Sequence, residues 1–148
     1  MKTAHFKFKI AKLGRRVSRA DEANIRRLFK EWERFGLFES GMFSLFVSAG
    51  GIMFVARDNT GTIVGTASLS PAVKPTWPWS GEVGFVRVKD ELQAKGIGSA
   101  LMRKVESCAA KLGFDKLRLN SSPQARKFYE RLGYKRDKPK DNRYRKVL

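Results

Sequence analysis

The sequence predicts a single α/β (α+β) domain on a mixed sheet, and three observations carry that reading. Its 148 residues suit one compact domain with a real core. The first half reads as strands around two helices. The second half alternates strand, helix, strand, helix, strand. The expected order is β-α-α-β-β-β-α-β-α-β-β, about six to seven strands flanked by about four helices, over residues 1–148 without linker, repeat or low-complexity segment.

Each element has a local cause. Phe6, Phe8 and Ile10 alternate with Lys7 and Lys9, the period of a half-buried strand. Ser18 and Asp21 form a capping pattern, and Ile25, Leu28, Phe29 and Trp32 follow at helical spacing until Gly36 stops the helix. Residues 42–49 make a second, shorter helix closed by Gly50 and Gly51. Residues 52–57 and 62–69 flank Asp58-Asn-Thr-Gly61, a hairpin signal with Gly61 supplying the positive φ. A proline-stiffened stretch from Pro71 carries Trp77 and Trp79, and Glu82 to Val88 is again a strand. A helix over 98–112 puts Leu101, Val105, Cys108 and Leu112 on one face, and Gly113 ends it. After a strand at 114–120, Ser122 caps a helix with Pro123 at its first position and Ala125, Phe128, Tyr129 and Leu132 inward. Gly133 stops that helix, and short strands at 134–136 and 143–147 complete the chain.

Composition narrows the class. Hydrophobic content of 42% with 30% charged residues suits a globular domain and is too apolar for a disordered one. No apolar run approaches the roughly 20 residues of a membrane span, and the basic N-terminus lacks the apolar core of a secretory signal. One cysteine, Cys108, and one histidine, His5, predict no internal disulfide, no metal site and a cytoplasmic protein. Cys108 on an inner helix face reads as core, and His5 as an exposed terminal residue. Net charge is +17, concentrated from Lys2 to Arg19 and from Lys135 to Lys146. Such a balance attracts polyanions, nucleic acid or ribosomes among them, or serves as a solvated face; composition alone leaves both open.

The segment from Val86 to Met102 carries the chemistry. A strand ends, a two-glycine loop follows, and a helix begins, so backbone N–H groups point outward at the positive end of the helix dipole. Gly96 and Gly98 allow close approach of a phosphate, and Lys95 adds charge. The pattern Gln93-x-x-Gly-x-Gly98 lacks both the third glycine of a dinucleotide fingerprint and the Gly-Lys-Ser/Thr of a P-loop. Physics alone stops at a phosphate-bearing ligand or a ligand-free glycine turn.

Gln93-Ala-Lys-Gly-Ile-Gly98 resembles the Gln/Arg-x-x-Gly-x-Gly/Ala signature of the GNAT superfamily of acyl-CoA N-acyltransferases. Farther on, Ala125-Arg-Lys-Phe-Tyr-Glu-Arg-Leu-Gly-Tyr134 is similar to that family's second motif, Ala-x-x-Phe-Tyr-x-x-x-Gly-Phe/Tyr. The two motifs stand in the right order, spacing and elements, and the resemblance covers essentially the whole chain. It implies the GNAT fold, acetyl-CoA as donor, and direct transfer of acetyl to a primary amine in a ternary complex. It further implies that the backbone of Val86 and Val88 pairs with the pantetheine arm, while Gln93, Ala94, Lys95, Gly96, Ile97, Gly98 and Ser99 wrap the pyrophosphate. The tyrosine matching Tyr129 commonly protonates the leaving thiolate, against a reading of Tyr129 as a core aromatic beside Phe128. Family members often carry asparagine where Ser122 stands, and Asn120 is the substitute candidate.

Glu82, eleven residues ahead of Gln93, matches the position of the catalytic glutamate in the histone-acetylating branch. It is the candidate general base, against a simple ion pair or a water relay. Trp77 and Trp79 fall where relatives build acceptor pockets, and would stack on a substrate or anchor the loop. Charge favours a protein amine or an aminoacyl-tRNA as acceptor over a polyamine. A catalytically silent, basic module binding RNA or ribosomes is the alternative. No membrane contact is expected, and either a monomer or a homodimer.

Overall fold

The alternating start of the chain becomes an edge strand, β1 (Phe8–Lys12), in a computed structural model that describes residues 6–31, 36–39, 41–72 and 79–148. His5, Trp32 and Trp77 lie outside those residues. There follow α1 (Arg19–Leu28), α2 (Met42–Ser48), β2 (Ile52–Asp58), β3 (Ile63–Pro71) and β4 (Ser80–Val88). The second half adds α3 (Ile97–Lys111), β5 (Lys116–Asn120), α4 (Arg126–Arg131), β6 (Lys135–Arg136) and β7 (Arg143–Val147). The described residues thus hold seven strands and four α-helices in the expected order. The strands form one sheet, β1-β2-β3-β4-β5-β7-β6, antiparallel except for the parallel β4–β5 pair.

Two apolar layers flank the sheet. Beneath α3 and α4, Leu69, Val83, Leu117 and Leu119 pack with Ile97, Leu101 and Tyr129. On the opposite face, Ile25, Phe29 and Phe43 pack on Met53, Val55 and Ile63 of β2 and β3. Gly65 lets α3 lie close on β3, since a Cβ there would stand 3.1 Å from both Ile97 Cγ2 and Leu101 Cδ1. Asp21 and Arg57 join α1 to β2 through two hydrogen bonds of 2.7 and 2.8 Å. The Arg57 hydrogen bonds hold the Asp21 carboxyl below its usual pKa. In the hairpin turn the Asp58 carboxylate accepts from the backbone of Thr60 and Thr62, with Gly61 at φ +86° as expected.

Three features differ from the sequence reading. The first helix stops at Leu28, well before Gly36, because Arg87 of β4 donates to the Leu28 carbonyl at 2.9 Å and Phe29 turns into the core. Leu112 is 57% exposed: α3 ends at Lys111, and Gly113 at φ +89° swings the chain away. The last helix opens with a 3₁₀ turn, Pro123–Ala125, closed by Ala125 N–H to Ser122 C=O at 3.1 Å. Ser122 therefore caps with its backbone, and its side chain makes no cap bond. Cys108 is partly buried against the core, as its place on an inner helix face predicts.

Candidate functional site

Strand β4 has a defect that alternation does not reveal. Ser68 faces Gly84 and Thr66 faces Arg87 across the β3–β4 ladder, so two residues, Phe85 and Val86, oppose Ala67 alone. Phe85 takes φ +48°, a left-handed conformation rare for a ring residue, and Thr66 Oγ donates to its carbonyl at 2.6 Å. Such a bulge bends its strand. On its other side β4 pairs with β5 only from Ser80 to Glu82, against Lys116 to Arg118. Beyond that point the β4 edge bearing Val86 and Val88 is unpaired by β5. Its backbone donors and acceptors form the kind of row that an extended ligand can join.

The chain then enters the two-glycine turn. A 3₁₀ turn, Asp90–Leu92, leads to Ala94 at φ +66° and Gly96 at φ +84°. Left-handed residues so close together curl the backbone into a concave nest of N–H groups. Holding alanine left-handed costs about 1 kcal/mol, a strain that turns at functional sites commonly retain. Gly96 caps α3 without a side-chain bond, which leaves the first amides of the helix, at Ile97, Gly98 and Ser99, facing out at its positive end. Lys95 is exposed beside them. Two residues also have a structural use. The Gln93 amide folds back toward Val88 C=O and Asp90 Oδ1, at 3.4 Å each, so it braces the turn. Gly98 has a packing reason to lack a side chain: a Cβ there would stand 3.1 Å from the Phe128 ring. That contact also seats α4 at the start of α3.

Tyr129 follows Phe128 and is 5% exposed, with ring centroids 5.0 Å from Phe128 and 5.9 Å from Tyr134. Burial pushes its phenol up to about 12, so the hydroxyl stays protonated at neutral pH. Tyr134 donates to Glu106 at 2.9 Å and Tyr144 to Glu130 at 2.9 Å. Among the described residues Tyr129 has no such carboxylate.

Glu82 lies on the other face of the sheet. Val83, Leu117, Leu119 and Tyr144 point to the α3–α4 layer, so alternation turns Glu82, Arg118, Asn120 and Arg143 the opposite way. Glu82 stands beside Arg118 in the β4–β5 register, and its Oε1 is 3.8 Å from Arg143 Nη2. Arg118 and Arg145 both reach Asp137, at 3.5 and 3.1 Å. Asn120 is exposed at the end of β5, opposite Arg143. Trp79, just before β4, is 70% exposed. Sequence reasoning missed the arginines. The alternation Lys116-Leu-Arg-Leu-Asn120 assigns Arg118 its face, but its partner arrives from a distant turn. The unpaired stretch of β4 thus lies in a sheet that has the layer burying Tyr129 on one face and Glu82 on the other.

Comparisons with known proteins bear on the family and the fold. The Acetyltransferase (GNAT) family model matches residues 19–134. No curated protein matches the chain. A GNAT-family acetyltransferase from Staphylococcus aureus Mu50 superposes with a TM-score of 0.75 at 18% identity, over 96% of this chain and 99% of that one. A Trypanosoma brucei acetyltransferase gives 0.72 at 23% identity, over 90% and 96%. The glucosamine-6-phosphate N-acetyltransferase of Arabidopsis thaliana gives 0.71 at 20% identity, over 89% and 94%. Likeness at these identities establishes the fold alone. Among the described residues no helix is long and apolar enough to cross a membrane, and no group of three or more His, Cys, Asp or Glu side chains could hold a metal ion.

Proposed function

We propose, from the premise that the chain belongs to the GNAT acetyltransferase family, that it moves an acetyl group from acetyl-CoA directly to a primary amine bound in the same ternary complex. The observation that carries this reading is the opening between β4 and β5, flanked by the nest before α3, with Tyr129 and Glu82 on opposite faces. The backbone of Val86 and Val88 would pair with the pantetheine amides. The amides from Gln93 to Ser99, with Lys95, would take the pyrophosphate, and Asn120 would make an auxiliary contact. Gly96, with open space around it, fits that role.

In the transfer the amine nitrogen bonds to the acetyl carbon and the carbon–sulfur bond breaks. Glu82 takes the proton the amine must lose, and the Tyr129 hydroxyl gives one to the departing sulfur. Glu82 can act only when its carboxylate turns from Arg143 to the amine. The surplus of basic residues favours an acceptor that brings negative charge, such as a protein amine near nucleic acid or an aminoacyl-tRNA, over a polyamine. The reaction belongs in the cytoplasm, where acetyl-CoA is to hand.

Melting in the presence of acetyl-CoA tests the donor. A ligand at 100 times its Kd adds about 2.7 kcal/mol, which for a domain of this size raises Tm by roughly 5–10 °C. An unchanged melting curve at saturating acetyl-CoA would refute the assignment.

A further inference from the structure

We infer that Thr66 is a positioning residue for the acyl donor: its hydroxyl holds the bulge that turns the backbone of Val86 and Val88 toward the free edge of β4. The inference rests on the reading of Val86 and Val88 as the donor's backbone partners.

The hydrogen bonds that flank the bulge show what it does. Backbone groups of successive residues in a strand point to opposite edges. At the start of β4 the even residues face β3. Ala72 N–H donates to Ser80 C=O at 2.9 Å, and Glu82 opposite Ser70 and Gly84 opposite Ser68 continue in steps of two. At the end of β4 the odd residues face β3. Lys89 N–H donates to Val64 C=O at 2.8 Å, and Arg87 stands opposite Thr66. The phase changes at the extra residue. Without it, Val86 and Val88 would spend their N–H and C=O groups on β3. The edge left open beyond Glu82 would then carry the groups of Phe85 and Arg87. Side chains record the same change: Val83 and, past the bulge, Val86 and Val88 pack in the α3 layer, whereas Phe85 packs in the α1 layer.

Phe85 is held at its ring and at its carbonyl. The ring stands edge-to-face with Phe29 and Phe46, with centroids 5.9 and 6.3 Å away. The carbonyl accepts from the Thr66 hydroxyl at 2.6 Å. Ring packing tolerates small rotations of the backbone. A short hydrogen bond does not, and this one fixes the peptide that joins Phe85 to Val86. Phe85 sits at φ +48°, which a ring residue does not favour, so the bond offsets a conformation that the chain would otherwise leave. Thr66 itself is fully buried, and a hydroxyl there needs a partner. Valine would fill nearly the same shape and fix nothing.

Isothermal titration calorimetry with acetyl-CoA is the test, and it needs no acceptor. It is run at a temperature where circular dichroism shows each variant folded, so that lost stability alone leaves Kd unchanged. Thr66→Val removes the hydroxyl, and Thr66→Ser keeps it. The Kd for acetyl-CoA should rise by roughly 10-fold in Thr66→Val, the worth of a buried hydrogen bond, and stay within about threefold of the wild type in Thr66→Ser. Thr66→Ala, with the same rise expected, decides the matter if Thr66→Val does not fold. Equal Kd in Thr66→Val and the wild type, or a Thr66→Ser protein that binds as weakly as Thr66→Val, overturns the inference and leaves the donor reading standing. A wild type that does not bind acetyl-CoA defeats the donor reading, and the inference with it.

Discussion

Burial acts differently on the chain's three tyrosines, and the difference singles out one hydroxyl. Tyr134 and Tyr144 bury their rings and spend their hydroxyl protons on Glu106 and Glu130. Tyr129 is buried without that engagement, and desolvation raises it to about 12. A phenol that weak gives its proton to an ordinary thiolate, of pKa near 8.5, only at a cost. Transfer becomes favourable when the sulfur is desolvated in the same apolar layer, because burial raises the thiol too. Tyr129→Phe keeps the contact with Phe128 and removes one oxygen. Turnover should fall by roughly 10²–10⁴-fold, with acetyl-CoA affinity nearly unchanged because the sulfur charge develops only in the transition state. The buried phenol must stay neutral, so the stability it contributes is complete below about pH 10 and is lost as pH rises through about 12. In an absorbance titration, the wild-type minus Tyr129→Phe difference should rise near pH 12 rather than pH 10. Near-wild-type turnover in the variant, with chemistry rate-limiting, would return Tyr129 to the core.

At the scale of elements, the sequence discloses what local patterns specify and conceals what tertiary contacts impose. The strand read from Glu82 to Val88 falls within β4, which starts two residues earlier at Ser80, yet nothing in Phe85 or Val86 announces a bulge. The bulge exists because Thr66 on the neighbouring strand takes the Phe85 carbonyl. The end of α1 is equally hidden, since Arg87 supplies its cap from 59 residues away. The two-glycine turn is legible because left-handed backbone recruits glycine, though Ala94 shares that conformation without the usual residue to signal it. The Glu82–Arg143 and Arg118–Asp137 pairs join elements far apart in sequence, and no spacing rule reaches them. Gly98 joins both kinds of information: its motif points to phosphate, its surroundings to Phe128. Gly98→Val should therefore lower the ligand-free melting point, by about 1–3 kcal/mol of overpacking, and also abolish the acetyl-CoA shift. Adding Phe128→Ala should recover part of the melting point without recovering the shift. A Gly98→Val protein that melts like the wild type would show the ring contact to be unimportant.

Across the whole molecule, the sheet order separates what the sequence groups only as two basic ends. The N-terminal cations begin on β1 at one edge, while β6 lies at the other with β7 beside it. Six strand spacings of about 4.8 Å put the edges roughly 29 Å apart, so the clusters form two patches and not one. They also differ in commitment. At the C-terminal end Arg143, Arg145 and Lys146 lie against Glu82, Asp137 and Glu106, and Arg136 donates to the Tyr144 hydroxyl. At the other end Lys7, Lys9, Lys12, Arg15, Arg16 and Arg19 are exposed, and among the described residues none of them is in an ion pair. A cation already neutralised by a carboxylate has little to offer a phosphate, whereas an exposed one releases a counterion for each phosphate it meets. RNA binding should therefore weaken steeply with salt and depend on the β1 end. Replacing Lys7, Lys9, Arg15 and Arg16 with glutamine should cut the slope of log affinity against log salt by up to about 3, at roughly 0.7 per single-strand phosphate contact. Replacing Arg145 and Lys146 with glutamine should change it less, since Asp137 and Glu106 already hold them. Fluorescence anisotropy with a labelled oligoribonucleotide between 50 and 200 mM salt reads both. If affinity is flat across that range, or the C-terminal substitutions dominate, the basic β1 end is a solvated edge that guards the sheet against pairing with another copy.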